Sequence, residues 1–166
     1  MTVKLREWKK SDADDLARIA NNRNIWDNLR DQLPHPYSKK DAKHWLKLVK
    51  KQQTATTFCI EADGHMAGSI GFTIKDDVYR KTAEIGYFIA EDDWGKGIAT
   101  EAIRQLVNYI EKNFDLVRIY AEVFEHNKAS MKVLEKNGFY LEAIRKKAAI
   151  KNDVVLDDYV WVRLLP

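Results

Sequence analysis

The sequence predicts an α/β fold: a central mixed sheet of seven strands flanked by about four helices. Three observations carry this expectation. Apolar residues repeat in strand-like and helix-like periods in the order strand, helix, helix, three strands, helix, strand, helix, two strands. Residues 83–90 are apolar at nearly every position, which suits a strand covered on both faces. Ile98, Ala99, Ala102, Ile103, Leu106, Val107 and Ile110 then recur at helical spacing, followed by an alternating strand at Val117, Ile119, Ala121 and Val123. That strand–helix–strand unit implies a right-handed crossover, with the turn before the helix at the carboxyl end of a central strand.

The elements follow in order. Val3 and Leu5 alternate with polar neighbours and mark a first strand. Ser11 is read as a helix N-cap, with Asp12, Asp14 and Asp15 opposing the dipole in the first turn. Leu16, Ile19 and Ala20 give that helix its apolar side, and it stops near Asn21-Asn22. Residues 22–37 are expected to be irregular, ending in Pro34-His35-Pro36-Tyr37. Ser38 caps a second helix with Ala42, Trp45, Leu46 and Val49 inward. Phe58 and Ile60 lead into Asp63-Gly64, a tight hairpin turn. The return strand spans about 66–74, with Ile70, Phe72 and Ile74 on one face. Asn127 is a good N-cap for a later helix, and Gly138 a left-handed C-terminal cap. Two closing strands, about 140–150 and 154–164, turn at Asn152-Asp153.

At 166 residues the chain is expected to form one domain, residues 1–166. Five tryptophans, seven tyrosines and six phenylalanines supply bulky core material. A net charge of +3 suits an anionic small ligand and is too weak to argue for nucleic acid. Cys59 is the only cysteine; it fits a cytoplasmic setting and reads as a buried structural thiol. No signal-length apolar core begins the chain, and no segment approaches the roughly 18 apolar residues of a span, so a soluble protein without a membrane partner is expected. The four histidines show no ligand spacing and have no paired cysteine, so no metal is expected.

The most informative stretch is Trp94-Gly95-Lys96-Gly97-Ile98-Ala99-Thr100. A glycine turn opening a helix presents unpaired N–H groups at a positive dipole end, which is phosphate-binding geometry. A nucleotide P-loop would need Ser or Thr directly after its lysine, but Gly97 follows Lys96. A dinucleotide fingerprint would need three spaced glycines, and only Gly95 and Gly97 are present.

This stretch resembles the coenzyme A pyrophosphate loop of the GNAT family of N-acetyltransferases, whose pattern is Gln or Arg, two residues, Gly, any residue, then Gly or Ala. Gly97 and Ala99 match; Trp94 replaces the Gln or Arg, as in the RimJ/RimL-like subgroup of ribosomal-protein N-terminal acetyltransferases. The segment from Asn127 to Phe139, with Ala129, Ser130, Glu135, Lys136 and Gly138, resembles the same family's later helix. The resemblance implies a GNAT-like acyl-CoA N-acyltransferase fold with acetyl-CoA as co-substrate between two splayed central strands. It places pantetheine along Tyr87, Phe88 and Ile89, and pyrophosphate on Trp94, Gly95, Lys96, Gly97, Ile98, Ala99 and Thr100. It places Asn127 on the pantetheine arm. Asn127 is equally explained as a plain N-cap.

Acetylation of an amine needs a base, because an amine of pKa about 10.4 is mostly protonated at neutral pH. Glu84, at the start of an otherwise apolar strand, is the candidate base; the competing reading is a strand-end carboxylate paired with a cation. Many family members carry an acidic tyrosine seven residues after the asparagine, where this chain has Leu134. The resemblance instead points to Ser130 as a hydrogen-bond donor near the thioester sulfur. Tyr159 is a second phenol whose alternating strand context favours a structural role. The irregular stretch is the expected acceptor wall, lined by Asn24, Trp26, Asn28, Arg30 and Tyr37, with Asp27 and Asp31 attracting an ammonium group. The acceptor is then a protein N-terminus or a small amine, and the assembly a monomer or homodimer. Leu134 leaves a non-catalytic acyl-CoA-binding or sensing domain as the alternative.

Overall fold

The computed structural model describes all of residues 1–166. Its strands are β1 (Val3–Arg6), β2 (Thr57–Ala62), β3 (His65–Ile74), β4 (Thr82–Ile89), β5 (Arg118–Phe124), β6 (Tyr140–Lys151) and β7 (Val154–Leu164). Its helices are α1 (Ala13–Ala20), α2 (Arg23–Trp26), α3 (Lys39–Lys50), α4 (Ile98–Asn113) and α5 (Lys128–Lys136). All seven strands form one sheet in the order β1-β2-β3-β4-β5-β7-β6. Every neighbouring pair is antiparallel except β4 and β5, the parallel pair that the α4 crossover requires. The seven-stranded mixed sheet is therefore as expected, and the fifth helix is the single turn α2 within residues 22–37.

Two apolar layers cover the sheet. Ile98, Ala102, Ile103, Leu106, Val107 and Ile110 of α4 pack with Ile85, Ile119, Ala121, Val123, Met131 and Leu134. On the other face, Leu16, Ile19 and Ala20 of α1 and Ala42 and Leu46 of α3 pack with Trp8, Cys59 and Tyr37. Cys59 is fully buried, and burial pushes its thiol up to about 12, so it is an inert core residue.

Local signals hold where the chemistry is local. Ser38 and Asp41 form a reciprocal capping box at the start of α3. Asp63 and Gly64 both take positive φ in the β2–β3 turn, and Gly138 ends α5 in the left-handed region. Three expectations need correction. Ser11 is not the N-cap of α1: it lies in a short 3-10 turn, Lys10–Asp12, and Asp12 precedes the helix. Ile74, the last residue of β3, and Val117, which falls just before β5 rather than in it, are exposed. β6 is not a regular strand, since its pairing with β7 slips between Arg145 and Ala149.

Asp12 fails as a dipole partner because it has better ones. Its carboxylate accepts two bonds from Arg6, each 2.9 Å, and one from the Lys9 N–H at 2.8 Å. Burial alone would raise its pKa; the bonds from Arg6 and the Lys9 N–H outweigh it and hold the carboxyl below its ordinary value. Asp12→Ala is expected to cost about 2 kcal/mol, less than the 3–5 kcal/mol of a fully buried pair because Arg6 keeps Glu61. A carboxyl lowered in the fold stabilises above its unfolded pKa and loses that contribution as pH falls through the folded value. Denaturant titrations of both proteins should therefore converge as pH drops below about 3.9.

Candidate functional site

The site begins where two strands part. β4 and β5 pair only at Thr82–Arg118, Ala83–Ile119 and Glu84–Tyr120, yet β4 continues to Ile89 and β5 to Phe124. A wedge-shaped gap therefore opens in the middle of the sheet. The ladder on the other edge of β4 shows which groups face it. Thr82 O accepts from Lys75 N, and Ala90 N donates to Ala67 O. Alternation between those ends assigns the backbone of Glu84, Gly86 and Phe88 to β3 and leaves that of Ile85, Tyr87 and Ile89 facing the gap. Phe88, expected to bind pantetheine, thus has its backbone committed to β3, and its ring packs on the α1–α3 side. Ile89 O is also taken, by the Trp94 indole N–H at 2.8 Å.

The gap leads to the glycine turn. Gly95 and Gly97 have φ of +76° and +79°, and a Cβ on either would meet only open space. Gly97 is the N-cap of α4 and has no side chain to cap it; the first helical bond runs from Glu101 N to Gly97 O. The N–H groups of Ile98, Ala99 and Thr100 thus precede the helical ladder and point to the open side of the turn. The surrounding residues brace this cradle. Asp93 is buried, accepts from Lys96 at 3.0 Å and bonds His65 at 2.9 Å. The turn fits a diphosphate because it offers unpaired donors, a dipole end and room that no side chain fills.

α5 starts on the other side of the gap. Asn127 Oδ1 accepts from Ser130 N at 3.3 Å, so Asn127 is an N-cap and only its amide end is left for a ligand. The Ser130 hydroxyl bonds the Tyr87 phenol from β4. Leu134 is fully buried in the core, which confirms that no donor stands there. Tyr159 lies under the Lys128 ammonium and packs on the core, as its alternation suggested. The Tyr87 side chain, which the sequence did not single out beside its backbone, shares a strand face with the apolar Ile85 and Ile89 and so reaches α5 across the gap.

The opposite face of the gap carries charge. Glu84, Glu122 and Asp158 share that face, and arginines link them in series. Arg30 bonds Glu84 and, at 3.0 Å, Glu122. Arg145 bonds Glu122 and, at 2.9 Å, Asp158. Lys75 adds a 3.5 Å contact to Glu84. So Glu84 is a paired carboxylate. Asp158, absent from the sequence reading, is buried; burial first, then the nearby Glu122 charge, pushes its carboxyl above its ordinary value. A cavity of about 310 Å³ opens here between Arg30, Glu122, Phe124, Arg145, Ala149 and Asp158. The slipped register of β6 supplies its wall, with Lys147 at positive φ and its N–H on Asp157.

Residues 22–37 run along this mouth, but most of the expected acceptor residues are occupied in holding them there. Asn22 and Asn24 donate to Glu91, just after β4. Asn28 bonds His126, and the Trp26 indole donates to Leu33 O. The buried Lys151 lies 3.5 Å from the centre of the Trp26 ring and bonds Asp31 at 2.8 Å. Asp27 pairs with Arg23 and accepts from Asn152. Neither aspartate is therefore a free ammonium site. Tyr37 is buried between α1 and α3, away from the charged cavity; it borders a separate pocket of about 750 Å³ with Leu33, Trp45 and Phe88. Of the five residues expected to line the acceptor, Arg30 alone lines the charged cavity.

Comparison with known proteins agrees with this geometry. Residues 2–140 match the family described as "Acetyltransferase (GNAT) domain". The chain is 45% identical over 86 residues to "Probable N-acetyltransferase YjcK" of Bacillus subtilis (strain 168), covering 52% of this chain and 48% of that protein. It is 32% identical over 118 residues to the ribosomal-protein-serine acetyltransferase of Escherichia coli (strain K12), covering 71% of this chain and 65% of the enzyme. These matches span about half to two thirds of those relatives. The solved structure of RimL, a ribosomal L7/L12 alpha-N-protein acetyltransferase, in complex with coenzyme A superimposes with a TM-score of 0.87 at 24% identity, over 99% of this chain and 95% of that one. A strand gap, a glycine cradle at its end and a family match over most of the length place this chain in the GNAT family of acetyltransferases.

Proposed function

We propose that residues 1–166 form one acetyl-CoA-dependent N-acetyltransferase domain, which transfers acetyl from the thioester to a primary amine by direct attack in a ternary complex. The parting of β4 from β5 carries this reading, because it connects a phosphate cradle on one side to a carboxylate-lined mouth on the other. The N–H groups from Gly95 to Thr100 take the pyrophosphate. The backbone of Tyr87 and the Ile89 N–H extend β4 onto the pantetheine, and the Asn127 amide meets the same arm. Trp94 and Lys96 shape the cradle through Ile89 and Asp93.

At the thioester, Ser130 Oγ–H is the donor toward the departing sulfur. Glu84 takes the acceptor's proton once Arg30 yields its place to the incoming ammonium. The exchange swaps one cation for another on a carboxylate that is only 14% exposed, so Glu84 stays paired, and the half-exposed Arg30 has a second partner in Glu122. The freed amine then attacks the carbonyl, the C–S bond breaks with its electron pair on sulfur, the nitrogen's second proton passes to solvent as the amide forms, and coenzyme A leaves as the thiolate, which solvent protonates. The acceptor is a primary amine, either a protein N-terminus, as in the serine acetyltransferase relative, or a small molecule. The expected setting is the cytoplasm, which a lone buried thiol suits, and no helix is long and apolar enough to cross a membrane.

The test is thiol release from acetyl-CoA across N-terminal peptides, polyamines and amino-sugars. Turnover with one class names the acceptor. Tight coenzyme A binding with no turnover on any amine would convert the assignment to an acyl-CoA sensor.

A further inference from the structure

Tyr87 and Ser130 face each other across the open part of the sheet, 43 residues apart in sequence. Tyr87 stands on β4 between Ile85 and Ile89, and its phenol reaches the first turn of α5. The Ser130 N–H is already held by Asn127, so the backbone of this serine is set by the cap and its hydroxyl by the phenol. Of the two hydroxyls the phenol is the stronger acid, so it donates and Ser130 Oγ accepts. The serine's own hydrogen is thereby turned away from Tyr87.

From this contact we infer that Tyr87 is a positioning residue, whose phenol O–H aims the Ser130 hydroxyl at the departing thioester sulfur. The inference rests on Ser130 acting as the sulfur's donor, as proposed above. Tyr87 does not supply the proton itself. Burial, opposed by the bond to Ser130, pushes its phenol up to about 12, while a thiol ionises near 8.5, so that transfer would be uphill by roughly three-thousand-fold. In the step, the C–S bond breaks, its electron pair stays on sulfur, and Ser130 Oγ–H hydrogen-bonds to that charge without losing its proton. Glu84 already holds the ammonium's first proton, the second leaves the nitrogen to solvent as the amide forms, and Tyr87 remains a neutral phenol throughout.

A double-mutant cycle on kcat tests this, with coenzyme A titration as the check on folding and donor binding. Ser130→Ala should lower kcat about a hundredfold, in the range of a lost oxyanion-type donor. Tyr87→Phe should lower kcat about tenfold with the KM for acetyl-CoA unchanged. In the Ser130→Ala background, Tyr87→Phe should have no further effect on kcat. An equal loss in both backgrounds would show that Tyr87 only packs the strand, and would overturn the inference while leaving Ser130 its role. Wild-type turnover in Ser130→Ala would instead remove the serine as donor, and Tyr87's role with it.

Discussion

Glu84→Gln is expected to lower kcat by about a hundred- to ten-thousand-fold, the usual worth of a general base, while coenzyme A affinity is unchanged. Gln has the shape of Glu and its one carbonyl oxygen still accepts from Arg30, so the change removes proton uptake at the loss of only the longer 3.5 Å contact to Lys75. The glycine turn lies at the far end of β4, beyond Ile89, and does not sense it. Asp158 is the competing base. Its carboxyl is the one that burial and the Glu122 charge hold above its ordinary value, which is the direction that makes a better proton acceptor. Steady-state kinetics on both variants separate the two: near-normal turnover in Glu84→Gln with a large loss in Asp158→Asn would transfer the role to Asp158. The stability of Asp158→Asn has a definite sign as well. A carboxyl raised in the fold disfavours folding when ionised, so stability is lost as pH rises through the folded value. The amide variant should therefore melt at or above the wild-type temperature at pH 7, because Asn still accepts from Arg145.

Gly97→Val is expected to weaken coenzyme A binding about a hundredfold. At +79° Gly97 sits in the left-handed region, which costs a residue with a Cβ about 1–2 kcal/mol and a β-branched one more. Free protein sheds that strain by relaxing the turn, and binding must restore it. The added side chain also projects into the open space over the Ile98, Ala99 and Thr100 N–H groups. Because a Cβ there meets no protein atom within 4 Å, the fold itself should survive, with the melting temperature lowered only by the several degrees that the turn strain costs. Unchanged affinity in calorimetry would mean that the pyrophosphate lies elsewhere.

The fold was legible in the sequence wherever the deciding interactions are short in range. The Ser38–Asp41 box, the Asp63-Gly64 turn, the Asn127 cap and the Gly138 stop each rest on residues within one turn of each other. Ser11 misled for a reason of the opposite kind. Its neighbour Asp12 is claimed by Arg6 of β1, and that contact moves the helix start. The glycine turn was equally readable, since its glycines and the first helical turn are contiguous.

The acceptor half was not. Arg30, Glu84, Glu122, Arg145 and Asp158 come from a loop and four strands, and their pairing depends on the order β4-β5-β7-β6. Asp31 looked like a free anion in the sequence because its partner, Lys151, lies more than a hundred residues later, whereas the Arg23 partner of Asp27 is only four residues away. The sequence by itself determined the seven strands, four of the five helices, the glycine turn before α4 and so the donor. Those follow from periodicity and backbone freedom, which adjacent residues express. Tertiary structure alone decided where β4 leaves β5, which phenol meets Ser130, and which carboxylates gather with Arg30 and Arg145. Such contacts between distant residues exist only after the sheet has assembled.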